Sequence, residues 1–291
     1  MRRFYVAALG GLLVAASPAD ASVITIPDSA LTPSTNYYTD IIGGGLGTVM
    51  VTTGGGNAAN VGDPSGRNDD GFRGPIPLGF SLTFFGNTYT SFFLNNNGNI
   101  SFNAGIAAFT PSGPQGAPQP IISPFFADVD TRNPLSGVVY YRTDLPNEVI
   151  VTWDSVGYYN SHADKLDSFQ LVLRGPGYSV PVGEGAIGFF WKTMQWETGD
   201  ASGGSGGFGG TPAAVGFGDG SSNGEILQGS IQNGISAIVN NEHIWFDPNL
   251  TPIPPSGVPE PASLALLCTG LLGLGALRRH RRTHRLWMAH R

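Results

Sequence analysis

Two aspartates separated by a single residue form the sharpest polar pair in the chain. Asp128 and Asp130 lie near the end of a mostly apolar run over residues 122–131. If residues 126–131 are extended, both side chains lie on one face, roughly 7 Å apart. Such a pair suits calcium ligands or an acid–base couple, whereas a purely structural role would have the oxygens cap loop amides. These alternatives stay open at the sequence level, with calcium as the candidate cofactor.

A second group of side chains has the shape to stack on sugar rings. Tyr158 and Tyr159 lie beside the polar residue Asn160, and Trp196 precedes a glycine-rich stretch. Aromatic faces can stack on pyranose rings, which makes these three aromatic residues candidate ligand-binding positions. The alternative is that they belong to the core, where large aromatic side chains bury much apolar area.

The N-terminus has the parts of a secretory signal peptide. A basic start is followed by an apolar stretch over residues 4–16, and Ala19 and Ala21 form an A-x-A cleavage site before Ser22. Such a segment is removed from the mature protein. Residues 1–21 are therefore predicted to direct export and to take no part in the fold.

The C-terminus combines a short polar motif, an apolar helix and a basic end. The motif consists of Val258, Pro259, Glu260 and Pro261. Residues 262–277 carry no charge, and as a helix they would span about 24 Å, slightly less than the roughly 30 Å hydrocarbon core. The arginines that follow favour a cytoplasmic end. The pattern predicts a transmembrane helix over residues 262–277.

This tail, over residues 259–291, resembles the PEP-CTERM sorting signal of Gram-negative bacteria. The resemblance implies export, transient anchoring in the inner membrane and processing by an exosortase-type enzyme. It further implies a final place on the cell surface or in the extracellular matrix. Because the family is associated with exopolysaccharide, matrix or exopolysaccharide is the expected partner.

The composition of residues 22–258 disfavours several classes of site. This part holds seven Lys and Arg against nineteen Asp and Glu, a formal net charge of −12, which argues against nucleic acid as a partner. The only cysteine of the chain, Cys268, lies in the tail, and His162 and His243 are the only histidines before it. Disulfides are therefore not expected in the exported part, and neither is a zinc site of His and Cys ligands.

Short runs of alternating, β-branched or aromatic residues, separated by Gly and Asn, predict an all-β fold. The pair Asn97-Gly98 predicts a type I′ hairpin turn. Many short strands with glycine-rich turns favour an antiparallel β-sandwich-like domain. The predicted strands are residues 80–84, 89–94, 100–102, 138–141, 149–153, 169–173, 187–194, 213–217 and 244–246.

The middle of the chain, from about residue 78 to residue 246, resembles the NIDO (nidogen-like extracellular) domain. The run Pro-Phe-Phe-Ala-Asp-Val-Asp is the most specific piece of the resemblance. The resemblance implies a secreted, β-rich, non-catalytic module that supports cell–matrix adhesion. The segments that carry it are residues 84–89, 95–102, 122–131, 137–142, 151–153, 156–159, 169–173 and 195–199.

Five segments and three functions follow from these patterns. The leading function is a non-enzymatic surface or matrix module, and the alternatives are an exopolysaccharide-binding, lectin-like module and, with only Asp128 and Asp130 in its support, a hydrolase of matrix polymer. The predicted segments are a signal peptide (1–21), a Gly- and Asn-rich part (22–74), a NIDO-like β domain (75–247), a proline-rich stalk (248–258) and the sorting signal (259–291).

Overall fold

The computed structural model describes residues 22–56, 58–114 and 117–254. Within them the chain forms fifteen strands and two short α-helices. The helices are Tyr38–Ile42 (α1) and Ile235–Val239 (α2). The strands, in chain order, are Val23–Ile26 (β1), Thr32–Pro33 (β2), Thr48–Val49 (β3), Gly54–Gly55 (β4), Gly71–Phe84 (β5), Asn87–Asn95 (β6), Asn99–Ser101 (β7), Pro120–Phe126 (β8), Val139–Arg142 (β9), Glu148–Tyr158 (β10), His162–Arg174 (β11), Ile187–Thr193 (β12), Ala214–Asp219 (β13), Gly224–Leu227 (β14) and Glu242–Phe246 (β15).

The described strands form two sheets. One sheet has the order β1-β14-β13-β8-β7-β6-β5-β4, and the other has the order β2-β15-β12-β11-β10-β9-β3. Neighbouring strands run antiparallel, except that β1 pairs with β14 in parallel. The first sheet is therefore mixed, which differs from the purely antiparallel arrangement predicted from the sequence.

The main core lies between the two sheets. The ring centroids of Phe125 from the first sheet and Phe169 from the second are 5.6 Å apart, and Phe217 and Phe189 meet across the same interface at 5.2 Å. Side chains that alternate along a strand point to opposite faces. This geometry confirms the prediction of an all-β sandwich.

A smaller apolar cluster covers the outer face of the second sheet. Ile150 on β10 and Phe190 on β12 belong to it, while their neighbours along each strand face the main core. Tyr38 from α1 packs against this outer face, with its ring centroid 5.8 Å from that of Phe190. The second sheet is thus buried on both faces, which explains the nearly continuous apolar runs in its central strands.

The N-terminal part, residues 22–74, supplies the edges of both sheets. Strands β1 and β4 are the outer strands of the first sheet, and β2 and β3 are those of the second. Edge strands with open hydrogen-bonding groups invite pairing with other chains, and these four are only two to four residues long. The predicted boundary between residues 74 and 75 falls inside β5 and does not coincide with a break in the fold.

The proline-rich segment after β15 begins on the domain surface. Leu250 is buried, and Ile253 N–H donates to Trp245 O at 2.7 Å. The first residues of the predicted stalk therefore pack on the domain. No helix among the described residues is both long and apolar enough to span a bilayer; the predicted helix over residues 262–277 lies outside them.

The two hairpin turns at opposite ends of β6 show how the turns differ from the prediction. Strands β6 and β7 pair at Asn95 and Asn99, which leaves a three-residue loop in which only Gly98 is left-handed, with φ +75°. A type I′ turn needs a two-residue loop with both φ angles positive. That geometry occurs instead at Phe85 (φ +46°) and Gly86 (φ +75°), between β5 and β6.

A buried carboxyl group on β11 lacks a cationic partner among the residues that the structure describes. Asp167 has no exposed surface, and its Oδ1 accepts hydrogen bonds from the backbone N–H groups of Gln195 and Trp196 at 2.6 and 3.1 Å. Its Oδ2 has no hydrogen-bond partner within the described residues. Burial raises the pKa of Asp167 well above its usual range, and the two backbone donors offset only part of this effect.

Asp167→Asn should flatten the pH dependence of stability. Because the folded-state pKa of Asp167 is raised, its contribution to stability is fully present below about pH 4 and is lost as pH rises toward the folded-state pKa. Without this carboxyl group, the free energy of unfolding should fall less steeply above pH 4, by up to about 1.4 kcal/mol per pH unit. Urea denaturation of the metal-free protein between pH 4 and pH 7 measures the slope. The exposed Asp164, whose pKa is lowered mainly by its bond to Lys165, is the control: Asp164→Asn should keep the wild-type slope, and an unchanged slope in Asp167→Asn would contradict the prediction.

Candidate functional site

Three segments of the chain meet at one end of the first sheet, and two of them carry acidic side chains. Asp69 and Asp70 immediately precede β5, and Asp128 follows the last residue of β8 by two positions. An isolated antiparallel bridge joins Asp69 to Asp130. The β6–β7 hairpin lies beside them, because Asn96 N–H donates to Gly71 O at 2.8 Å.

Three carboxyl groups converge there and are called the acidic cluster: Asp69, Asp70 and Asp128. One oxygen from each lies within 4.8 Å of the other two. The exposed fraction is 1% for Asp128 and 7% for Asp69, and Asp70 is half-buried at the rim. Among the described residues, neither oxygen of Asp128 has a hydrogen-bond partner, and Oδ1 of Asp69 has none either.

Neighbouring groups fix the orientation of the acidic cluster. The amide of Asn97 has a defined orientation because its Oδ1 accepts from Val129 N–H at 3.0 Å, and its Nδ2 then donates to Asp70 Oδ1 at 2.7 Å. Gly199 packs directly against Asp128, since an added Cβ there would lie 2.5 Å from Asp128 Oδ2. These contacts hold the carboxyl groups in place, but none of them supplies a hydrogen bond or a positive charge to the side chain of Asp128.

Asp130, the second member of the predicted pair, has a different environment from Asp128. Arg132 donates to both of its oxygens, from Nε at 2.9 Å to Oδ1 and from Nη2 at 2.5 Å to Oδ2. Ser161 N–H adds a bond to Oδ2 at 2.8 Å. Arg132 Nη2 also lies 2.9 Å from Asp69 Oδ2. The structure thus separates the predicted pair: Asp130 is an ion-pair residue, while Asp128 faces Asp69 and Asp70.

The electrostatics of the acidic cluster are unfavourable to its charged form. Burial raises the pKa of Asp128 to about 8, with repulsion from Asp70 and Asp69 as the next causes. Burial also raises the pKa of Asp69 to about 7, with repulsion from Asp130 second, and Arg132 opposes this shift. One arginine therefore does not balance the negative charge of these four carboxyl groups.

A single arginine clamps the loop that follows Asp130. Arg67 Nη1 donates to the carbonyl oxygens of Thr131, Asn133 and Ser136 at 2.8, 2.6 and 2.8 Å. Asn68, the next residue, exchanges further hydrogen bonds with Thr131. The segment that carries Asp69 and Asp70 is thereby tied to the segment that carries Asp128 and Asp130.

Asn95 and Asn99 hold the hairpin and the loop that follows β7. Asn95 Nδ2 donates to Asn99 Oδ1 at 2.7 Å, and Asn95 Oδ1 accepts from Ile106 N–H at 2.8 Å. Asn99 Nδ2 donates to Asn97 O at 3.1 Å. The side-chain oxygens of Asn95 and Asn99 are therefore already engaged as hydrogen-bond acceptors.

Of the three aromatic residues predicted to stack on sugars, two are core residues. Tyr158 is 1% exposed and donates from its hydroxyl to Asp164 Oδ1 at 2.9 Å. Trp196 has no exposed surface, and its Nε1 donates to Val156 O at 3.0 Å. Neither ring offers a face to a ligand, because both pack inside the sandwich. Tyr159 is partly exposed and has the guanidinium of Arg132 5.7 Å from its ring centroid.

The family of the chain follows from a match that spans this whole architecture. The NIDO-related family model matches residues 33–248, which include the acidic cluster and every strand from β3 to β15. The chain belongs to the NIDO-related family. A second family model, the PEP-CTERM protein-sorting motif, matches residues 257–282. Both resemblances seen in the sequence are confirmed, and together they support an exported surface module.

The relatives of the NIDO-related protein are much longer than the region they share with it. Alpha-tectorin of Mus musculus and alpha-tectorin of Homo sapiens are each 33% identical over 181 residues. Alpha-tectorin of Gallus gallus is 34% identical over 180 residues. These matches cover 52% of this chain but only 8% of each relative. No solved structure matches the chain.

The predicted processing sites lie largely beyond the described part of the chain. Ala19 and Ala21 precede the described residues, and the motif Val258–Pro261 follows them. The sorting-motif match, which begins at residue 257, includes this motif. Ser22, the residue after the predicted cleavage point, is described and lies beside β14. Its N–H donates to Asn223 Oδ1 at 2.8 Å, and its carbonyl oxygen accepts from Gly224 N–H at 3.0 Å.

Proposed function

We propose that this protein is an exported surface module that associates with the extracellular matrix and acts by binding. The observation that carries the proposal is the order of the two family matches. A NIDO-related domain over residues 33–248 is followed at once by a PEP-CTERM sorting motif over residues 257–282. The formal charge of −12 over residues 22–258 suits a solvent-exposed module that avoids anionic surfaces.

The sorting motif implies an exosortase-type enzyme as the processing partner. In this proposal the apolar stretch 262–277 holds the chain transiently in the inner membrane of a Gram-negative cell, with the arginines after it on the cytoplasmic side. Processing near Pro259 then releases the domain to the cell surface or matrix. Cell–matrix adhesion is the role we assign to the released module.

Binding is favoured over catalysis by the contacts of the predicted acid–base pair. An acid–base couple needs two carboxyl groups that are both free to exchange protons with a substrate. Arg132 holds Asp130 through both oxygens, and Asp128 lies beneath Gly199. We therefore place hydrolysis of matrix polymer below adhesion as a function of this chain.

Exopolysaccharide is the second candidate partner, and one observation favours it. Tyr159 remains partly exposed, beside the cation of Arg132 and close to the acidic cluster. Aromatic rings next to charged groups suit the combined apolar and polar faces of a sugar. A lectin-like role of the released module would centre on Tyr159.

Loss of the sorting motif should trap the protein in the membrane fraction. In the producing cell, a tagged wild-type chain is expected in the extracellular fraction at less than full length. The variant Pro259→Ala/Glu260→Ala should stay at full length with the membranes, because the processing enzyme no longer recognises its motif. Immunoblots of cytoplasmic, membrane and extracellular fractions provide the measurement.

A proline outside the motif is the matched control for this experiment. Pro254 is exposed and precedes the motif by several residues, so Pro254→Ala should be processed and released like the wild type. Wild-type protein found only in the cytoplasm would refute export. Release of the Pro259→Ala/Glu260→Ala variant at the wild-type rate would refute processing at this motif.

A further inference from the structure

We propose that Asp69, Asp70 and Asp128 form a calcium-binding site at the junction of β5, β8 and the β6–β7 hairpin. This site does not depend on the proposed matrix role. It differs from the pair Asp128 and Asp130 that the sequence suggests, because Asp130 is engaged by Arg132. It is carried by the convergence of the carboxyl oxygens and by the buried oxygens that lack partners.

The spacing of the carboxyl oxygens fits a shared calcium ion. Calcium–oxygen distances are about 2.3–2.6 Å, so two ligands on opposite sides of the ion lie up to about 5 Å apart. The three oxygens of the acidic cluster lie within 4.8 Å of one another. Three carboxylates supply three to six oxygens, and water can complete the six to eight that calcium takes.

The second observation is the unsatisfied state of Asp128. Its exposed fraction is 1%, both of its oxygens lack a hydrogen-bond partner within the described part of the chain, and one of them faces Asp69 and Asp70. Asp69 Oδ1 is in the same state. A buried carboxylate without a donor or a cation is strongly unfavourable, and a divalent ion bound by one oxygen from each carboxyl group would supply the missing positive charge.

The nearby arginine does not fill this role. Arg132 makes a bidentate contact with Asp130 and reaches Asp69 through Oδ2, the oxygen opposite to the unpartnered Oδ1. None of its hydrogen bonds goes to Asp128. Arg132 thus pairs with one oxygen of Asp69 and leaves Asp69 Oδ1 and both oxygens of Asp128 without a partner among the described residues.

The ligand set selects calcium over other divalent cations. The cluster offers carboxylate oxygens alone, which suit hard cations, whereas zinc prefers His and Cys. Magnesium demands near-octahedral geometry at about 2.0–2.1 Å and keeps several waters. Two buried carboxylates and one half-buried carboxylate, with oxygens within 4.8 Å of one another, suit the larger, more flexible coordination of calcium better.

A thermal unfolding experiment on the full-length protein tests the site. The chain is stripped of metal with a chelator, desalted, and melted with increasing calcium chloride or magnesium chloride. Calcium at about one hundred times its Kd should raise Tm by roughly 5–10 °C, since ligand binds the folded state alone. Magnesium at the same concentration should give a much smaller rise.

Two variants and one matched control make the result specific. Asp128→Asn removes the buried charge, so it should raise Tm without metal and abolish the response to calcium. Asp70→Asn, at the half-buried rim, should also lose the rise in Tm with calcium. It replaces Asp128→Asn as the test variant if Asp128→Asn fails to fold. Asp167→Asn changes another buried aspartate with an unpartnered oxygen that does not belong to the acidic cluster, and should keep the full response.

The outcomes separate the site from a cluster that is neutralised by protons alone. A wild-type Tm that does not respond to calcium up to about 10 mM, above the Kd range of extracellular calcium modules, would overturn the proposal. A wild-type rise that persists in both Asp128→Asn and Asp70→Asn would overturn it as well, because the ion would then bind elsewhere. Loss of the rise in these variants together with its retention in Asp167→Asn supports the site.

Discussion

Arg174→Ala is expected to lower the free energy of unfolding by about 3–5 kcal/mol, as is typical when one partner of a buried ion pair is removed. Arg174 and Glu148 are each 2% exposed and pair across β10 and β11, with Arg174 Nε 2.9 Å from Glu148 Oε1. Truncation leaves the Glu148 carboxylate buried without a counter-charge, which is costly because charge is poorly solvated there.

The packing of the guanidinium adds to this loss. Its carbon lies 4.2 Å from the ring centroid of Trp245, 4.3 Å from that of Tyr178 and 5.0 Å from that of Tyr38. Its Nη2 donates to Tyr38 Oη at 2.7 Å. Since Tyr38 belongs to α1, this one side chain links the N-terminal helix to the outer face of the second sheet.

Urea denaturation of Arg174→Ala and of Lys192→Ala compares the loss in free energy of unfolding for the buried ion pair with that for an exposed one. Lys192 lies 2.9 Å from Asp40 with both side chains about two-fifths exposed, so its loss should cost about 0–1 kcal/mol. The double variant Arg174→Met/Glu148→Gln should lose less free energy of unfolding than the sum of the losses in the single variants Arg174→Met and Glu148→Gln. Equal losses in Arg174→Ala and Lys192→Ala would show that the buried pair contributes no more than an exposed one.

The central strands could be predicted because their residues either alternate with the period of a strand or form short apolar, β-branched runs. The stretch around Phe84 becomes a strand with one face on the core, and the run Val149–Trp153 becomes a strand that is buried on both faces. Period-two alternation depends only on local sequence and on the existence of an interior. Strands β1, β2 and β4 were not predicted, since each has only two to four residues and gains its order from the strand beside it.

The acidic cluster shows why the site was only half predictable. The sequence marks Asp128 by its position after an apolar strand, but its partners Asp69 and Asp70 come from a polar loop far away in the chain. Their approach depends on the pairing of β5 with β6 and of β7 with β8, which no local pattern specifies. Arg132 was likewise unrecognised, although its place two residues after Asp130 permits the bidentate contact that removes Asp130 from the cluster.

Aromatic composition alone could not separate core residues from ligand-binding residues. Tyr158 and Tyr159 are neighbours in sequence, yet the first is buried and the second is partly exposed. Successive side chains point to opposite faces, and which of the two tyrosines faces the core depends on the register of β10 against β11. Trp196 follows β12 in an irregular stretch, where no periodicity indicates which way its ring points.

Trp196→Ala is therefore expected to destabilise the fold. It is not expected to remove a ligand contact selectively. The loss in free energy of unfolding should be about 3–5 kcal/mol, as for other buried aromatic residues replaced by alanine. The Trp196 ring packs 5.4 Å from the ring of Tyr158 and 6.2 Å from that of Phe125. The substitution also removes the indole N–H, so the carbonyl oxygen of Val156 loses the hydrogen bond that it accepts from Trp196.

Tyr159→Ala is the control that separates core packing from recognition. Because Tyr159 is partly exposed, its removal should change the free energy of unfolding by less than about 1 kcal/mol. If the module binds exopolysaccharide, the same variant should lose co-sedimentation with the producer's extracellular polymer while keeping the wild-type Tm. A Trp196→Ala protein with wild-type stability would contradict the buried position of that ring, because a cavity of that size inside a close-packed sandwich cannot be neutral.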